Sequence, residues 1–196
     1  MKPFLSPSPY IDFDHPLVRE AAQALGDSGH SQTTLVKACF EFVRDEIRHS
    51  WDHQLNPVTC KASDVLRHRT GYCYAKSHLL AALLRAHGIP TGLCYQRLSV
   101  GDAGAPYCLH GLNAVYLNDW GWYRLDARGN KPGVQAQFTP PIEALAFPVR
   151  PPQERDLPEI WAEPLPQVIK VLETYSDFAQ VAEHLPDVTL WDVPRP

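Results

Sequence analysis

Thr70-Gly71-Tyr72-Cys73-Tyr74-Ala75-Lys76-Ser77-His78-Leu79-Leu80-Ala81-Ala82-Leu83-Leu84-Arg85-Ala86-His87-Gly88-Ile89-Pro90 is the stretch from which the fold reads outward. Apolar residues at Leu79, Leu80, Leu83, Leu84 and Ala86 among strong helix formers predict a helix, with Gly88 suited to its C-terminal cap and Pro90 just beyond. Cys73 then falls in the first turn, where unpaired amides and the positive end of the helix dipole favour a thiolate over a thiol. That makes Cys73 a candidate nucleophile, with Gly71 expected to let the backbone approach a substrate closely. A cysteine in an apolar helix is otherwise a small buried hydrophobe. Chemistry at Cys73 needs a base and an orienting group from elsewhere in the chain.

Both are offered downstream. Residues 91–100 read as a strand carrying Leu93, Cys94, Tyr95 and Leu98, and residues 101–106 as a loop by composition. Residues 109–117 alternate, with His110, Leu112, Ala114 and Tyr116 on one face and Gly111, Asn113, Val115 and Leu117 on the other. Asn118-Asp119 signals a turn, and residues 121–126 return as a strand with Trp122, Arg124 and Asp126 on one face. A hairpin turning there sets Asp126 opposite His110 or one residue pair away, within reach of the imidazole. A histidine backed by an aspartate is a base held in one tautomer, with its imidazolium stabilised.

Upstream, Pro3, Pro7 and Pro9 predict an extended arm over residues 1–15, followed by a short helix ended by Gly26. Val36, Phe40, Val43 and Ile47 recur at helical spacing and predict an amphipathic helix over residues 31–48. His49 and His53 would share a face if that helix continued. A metal hydrolase built on them needs a third ligand, and no H-E-x-x-H pattern or completing pair is present, so a loop or substrate-facing rim is the expectation. Residues 62–67 suggest one helical turn. Past Asp126, a Pro-rich run over residues 140–166 holds Ile142, Leu145, Phe147, Ile160 and Trp161 and reads as a strap over the domain surface. A last amphipathic helix is predicted over residues 167–185, with Val168, Leu172, Tyr175 and Phe178 on its core face. The expected organisation is an N-terminal arm and short helix (1–30), a catalytic core (31–135), and a strap with C-terminal helix packed on the same domain (136–196).

The composition is that of an ordinary globular chain: 196 residues, 44% hydrophobic and 20% charged. A net charge of -4 provides no basic field, so neither nucleic acid nor a membrane surface is expected as a partner. The proline-bearing N-terminus has no apolar core of a secretory signal, which gives a cytoplasmic expectation. Five cysteines without C-x-x-C spacing argue for reduced thiols over a disulfide framework or a zinc site. Cys94 and Cys108, which bracket the 101–106 loop, are read as buried small residues. The chain carries no signal for an oligomeric state.

Gly71-Tyr72-Cys73 with the helix that follows, His110 leading a strand, and Gly121-Trp122-Tyr123-Arg124-Leu125-Asp126 resemble the bacterial transglutaminase-like superfamily over roughly residues 35–130. The resemblance implies a papain-like α+β core, helices packed on an antiparallel sheet, with Cys73 as nucleophile, His110 as general base and acid, and Asp126 as orienting carboxylate. It also implies an upstream oxyanion or substrate-binding side chain, for which Trp51, Gln54 and Tyr72 are the candidates. Leu112 stands where members often have an aromatic residue, and Ala127-Arg128 where Pro-Thr is common. The implied activity is on amide or peptide bonds of a protein, peptide or small amide substrate, through a thioester and without metal or organic cofactor. Water as acceptor gives a peptidase or amidase, an amine gives an acyl transferase; hydrolysis is slightly favoured because no acceptor-binding module is visible. The rival from another class is a catalytically silent domain that holds a peptide in the same cleft.

Overall fold

In the computed structural model, which describes residues 1–27, 29–101 and 104–189, the helix Cys73–Ala86 has 13 of its 14 residues buried. A helix buried on every side must be packed by other elements all round. These follow in chain order as α1 (Pro16–Leu25), α2 (Gln32–Glu41), β1 (Arg48–His49), α3 (Ser50–His53), α4 (Ala62–His68) and β2 (Thr70–Gly71), and then the central helix itself, α5. After it come β3 (Thr91–Gly101), β4 (Gly104–Leu117), β5 (Gly121–Leu125), β6 (Gln137–Thr139), β7 (Ile142–Ala144), β8 (Arg155–Asp156), α6 (Pro166–Thr174) and α7 (Phe178–Glu183).

One face of α5 meets α1, α2 and α4, and the other meets β3 and β4. The sheet is antiparallel in the order β5-β4-β3-β8. A single apolar core runs from Val36 and Phe40 of α2 through Leu79, Leu80, Leu83 and Leu84 of α5 to Leu109, Val115 and Leu117 of β4. Its strands bury side chains on both faces. Cys94, Leu112 and Ala114 form a second apolar layer, covered by Trp122, Leu145 and Ile160. The Pro-rich run thus lies against the sheet, adding β8 beside β3 and bridging Trp161 to Leu93.

The structure departs from the sequence expectation in several elements. The helix expected over residues 31–48 stops at Glu41 and continues as a π-helical turn, Phe42–Glu46, before Ile47 turns extended. Arg48 and His49 then pair in parallel with Thr70 and Gly71, so His49 and His53 never share a helix face. The helix expected over residues 167–185 is two, broken at Tyr175, because the Asp177 side chain accepts from Ala179 N–H and starts a new helix. Gly104, Ala105 and Pro106, expected in a loop, belong to β4; Asp102 and Ala103 lie outside the described residues. In the expected extended arm, residues Lys2–Leu5 form a 3-10 turn. Cys94 is buried and Cys108 half-buried, both as free thiols.

Candidate active site

Cys73 is the first residue of α5, Tyr72 being its N-cap, and it is 7% exposed. β1 and β2 deliver the chain to that point. Gly71, expected to admit a substrate, instead admits neighbouring protein, since a Cβ there would sit 3.1 Å from Thr59 Oγ1 and 3.2 Å from the Ala75 Cβ. Gly111 does bring β4 and Cys73 together. A Cβ on it would meet Tyr74 Cα at 3.1 Å, and its N–H lies 3.5 Å from Cys73 Sγ. Only a glycine lets β4 approach the head of α5 this closely. Tyr74 fastens the same contact by donating from its hydroxyl to Leu109 O.

His110, in β4, donates from Nε2 to Asp126 Oδ2 at 2.7 Å, and Cys73 is its second electrostatic partner. The residue just past β5 supplies the carboxylate: Leu125 lies opposite Asn113, which carries Asp126 to the level of Leu112, diagonal to His110. Asp126 is fully buried and is further held by Arg128 N–H on Oδ1 and Ala146 N–H on Oδ2, both at 3.1 Å. Burial alone would raise its pKa; His110 and these two amides outweigh burial and lower it. Burial would likewise lower the pKa of His110, but Asp126 and Cys73 outweigh it and raise it to about 10. The imidazolium is therefore the form the site favours at neutral pH.

A second group of residues braces this one. Arg128 donates to Asp52 Oδ2 at 2.6 Å and Oδ1 at 3.0 Å, and Lys131 to Oδ1 at 2.5 Å, tying α3 to the turn after Asp126. Phe147, from the Pro-rich run, stands edge-on to His110 with ring centroids 5.0 Å apart, closing one side of the site. His49 is buried, edge-on to Tyr72, with Nδ1 3.7 Å from Asp52 Oδ2 and no hydrogen-bond partner. Burial, followed by the Arg128 charge, pushes its pKa well below the usual histidine range. His49 is thus a neutral imidazole on the cleft wall.

Of the residues singled out in the sequence, Cys73, His110 and Asp126 converge, and Trp51 and Tyr72 line the cleft above them. The Tyr72 hydroxyl is committed to Phe178 O at 2.6 Å. Gln54 is exposed, ends α3 in the left-handed region and lies outside the cleft lining. Among the described residues no three His, Cys, Asp or Glu side chains gather as a metal site, so His49 and His53 have no completing ligand. Asp52, Arg128, Ala146 and Phe147 were missed in the sequence. Arg128, two residues past Asp126, had a positional signal; Ala146 acts through its backbone and left none.

Helices packed on an antiparallel sheet, with a cysteine opening the central helix and a histidine on the facing strand, define a papain-like α+β domain of the transglutaminase-like type. The family model for the transglutaminase-like superfamily matches residues 19–127, and the chain belongs to that superfamily. A crystal structure of a candidate cysteine protease from Cytophaga hutchinsonii is similar at 25% identity and a TM-score of 0.51, over 65% of this chain and 41% of that one. The periplasmic domain of TgpA from Pseudomonas aeruginosa aligns at 23% identity and a TM-score of 0.47, over 63% of this chain and 45% of that one. The chain therefore spans less than half the length of either structure. No curated protein matches it by sequence.

Proposed function

We propose that the protein is a thiol enzyme acting on amide or peptide bonds through a thioester on Cys73. The observation that carries this is the bond of 2.7 Å between His110 Nε2 and Asp126 Oδ2, which leaves Nδ1 as the ring nitrogen for exchange with Cys73. In the first step the Cys73 thiolate adds to the carbonyl carbon. The Cys73 N–H, at the first helical position and so without an intrahelical acceptor, donates to the oxyanion, with the Trp51 indole as second donor. Collapse breaks the C–N bond while the His110 imidazolium gives its proton to the leaving amine, and a thioester remains. His110, now neutral, takes a proton from water, which adds to the thioester and releases the acid and Cys73. An amine in place of water would give acyl transfer. Hydrolysis is the outcome we favour.

The test is the alkylation rate of each cysteine by iodoacetamide as a function of pH, read by peptide mass spectrometry on wild type and His110→Ala. Cys108, half-buried on the same cleft with its thiol pushed up to about 12 by burial, is the internal control. Cys73 is expected to be alkylated faster than Cys108 across the neutral range and to lose that advantage without His110. A Cys73 no faster than Cys108 would overturn the proposal.

A further inference from the structure

The cleft over Cys73 has a volume of about 480 Å³, within the range of roughly 300–1,000 Å³ typical of small-ligand sites. Its walls come from two parts of the chain. Trp51, Leu98 and Val100 belong to the segment matched by the family model, whereas Phe147, Ala182 and Leu185 lie beyond it. Trp51 is 49% and Val100 51% exposed, large apolar groups left in water beside a nucleophile. Trp51 rests on Phe178 of α7 with ring centroids 6.1 Å apart, and α7 is anchored through Asn56, which accepts from Phe178 N–H and donates to Asp177.

The polar groups on these walls are already committed or uncharged. Arg128 spends its guanidinium on Asp52 through two bonds, and no carboxylate lines the cleft among the described residues. A charged or amide-bearing side chain entering it would surrender water and meet no uncommitted counter-charge, since the unpartnered His49 Nδ1 is itself buried and the Trp51 N–H is assigned to the oxyanion, whereas an apolar one removes Trp51 and Val100 from water.

We infer that the acyl group delivered to Cys73 carries a bulky uncharged apolar side chain, aromatic or branched aliphatic, and that glutamine and charged side chains are poor substrates. This rests on the thioester mechanism proposed above. Phe147, Ala182 and Leu185, which lie beyond the matched segment, complete the apolar wall that Trp51, Leu98 and Val100 begin.

The experiment compares p-nitrophenyl esters of benzyloxycarbonyl-Phe, -Leu, -Gln, -Lys and -Glu, which share a leaving group and differ in the acyl side chain. Acylation is followed as p-nitrophenol release and as acyl mass on the Cys73 peptide, with Cys73→Ala as the blank. The Phe and Leu esters are expected to exceed the other three by about 10- to 100-fold in kcat/KM. In Leu185→Glu, and in Ala182→Asp should the first fail to fold by circular dichroism, the Lys ester should gain about tenfold on the Phe ester. A Gln, Lys or Glu ester that matches Phe, or a folded variant with unchanged ranking, overturns the inference while leaving the thioester mechanism standing. No acylation of Cys73 by any ester removes both.

Discussion

At the scale of single residues, Asp126 decides what His110 is. The imidazole is buried, and burial by itself favours the neutral ring; the carboxylate 2.7 Å away reverses that preference. With the histidine pKa raised to about 10 against about 6.5 in an unfolded chain, the pair stabilises the fold fully below pH about 6.5. That contribution fades as the pH climbs toward about 10. Asp126→Asn removes the main opposing charge and frees the ring to titrate lower. In that variant the His110 imidazole resonances, followed by NMR, should titrate at lower pH than in wild type, and ester acylation of Cys73 should slow by about 100-fold or more. An unshifted titration would mean that Asp126 is not what holds the imidazolium. Cys73, His110 and Asp126 were legible in the sequence because each is a side chain with its own chemistry. Ala146 was not, since a backbone N–H looks the same at every position.

At the scale of elements, the expectation failed where a periodic pattern outlasted its element. Val43 and Ile47 continue the spacing of α2, yet the chain leaves the helix through a π-helical turn and enters β1. The reason lies in α5. Lys76 is fully buried, and its ammonium donates to Ile47 O at 2.5 Å and Arg44 O at 3.3 Å, giving carbonyls freed by the π turn a partner. Such a long-range cap has no local signature. It also leaves a thermodynamic one, because burial, followed by the Arg128 charge, lowers the pKa of Lys76 to about 7. Below that pH both folded and unfolded chains carry the proton, and the cost of burying the ammonium is fully present. Between pH about 7 and the unfolded value of about 10.4, the unfolded chain holds a proton that the folded one has released, so stability rises with pH. Lys76→Met lacks this gain. Its Tm deficit relative to wild type should widen steadily from pH 7 to 10 in calorimetric scans, and a constant deficit would contradict the assignment. Asp177 tells the complementary story: an N-capping residue was present in the sequence, but the apolar spacing across it suggested one continuous helix.

At the scale of the whole molecule, the α+β architecture was legible because its two periodicities occupy separate stretches of the core, helical up to Gly88 and strand-like from residue 91 to Asp126, before helical spacing returns near the C-terminus. What tied the ends to the middle was not legible. Arg85, in the last turn of α5 and 2% exposed, donates to Thr91 O at 3.0 Å, Ser6 O at 2.8 Å and Ala162 O at 2.7 Å. One guanidinium thereby joins the N-terminal segment, the first residue of β3 and the Pro-rich run, and burial lowers its pKa to about 10. Its planar fork has donors enough for three divergent carbonyls, which a lysine ammonium on a different stem does not reproduce. Arg85→Met would leave those carbonyls without this donor, at about 1–3 kcal/mol for each one that stays buried and unpaired. A total loss of about 3 kcal/mol corresponds to roughly 10 °C in Tm for a chain of this size. Arg85→Lys should recover less than half of the deficit. Limited proteolysis provides a spatial check, because releasing Ser6 and Ala162 should open new cleavage sites near both, far apart in sequence, in the same variant. A Tm within about 2 °C of wild type for Arg85→Met, or new cleavage at only one of the two segments, would show that the N-terminal segment and the Pro-rich run are held independently.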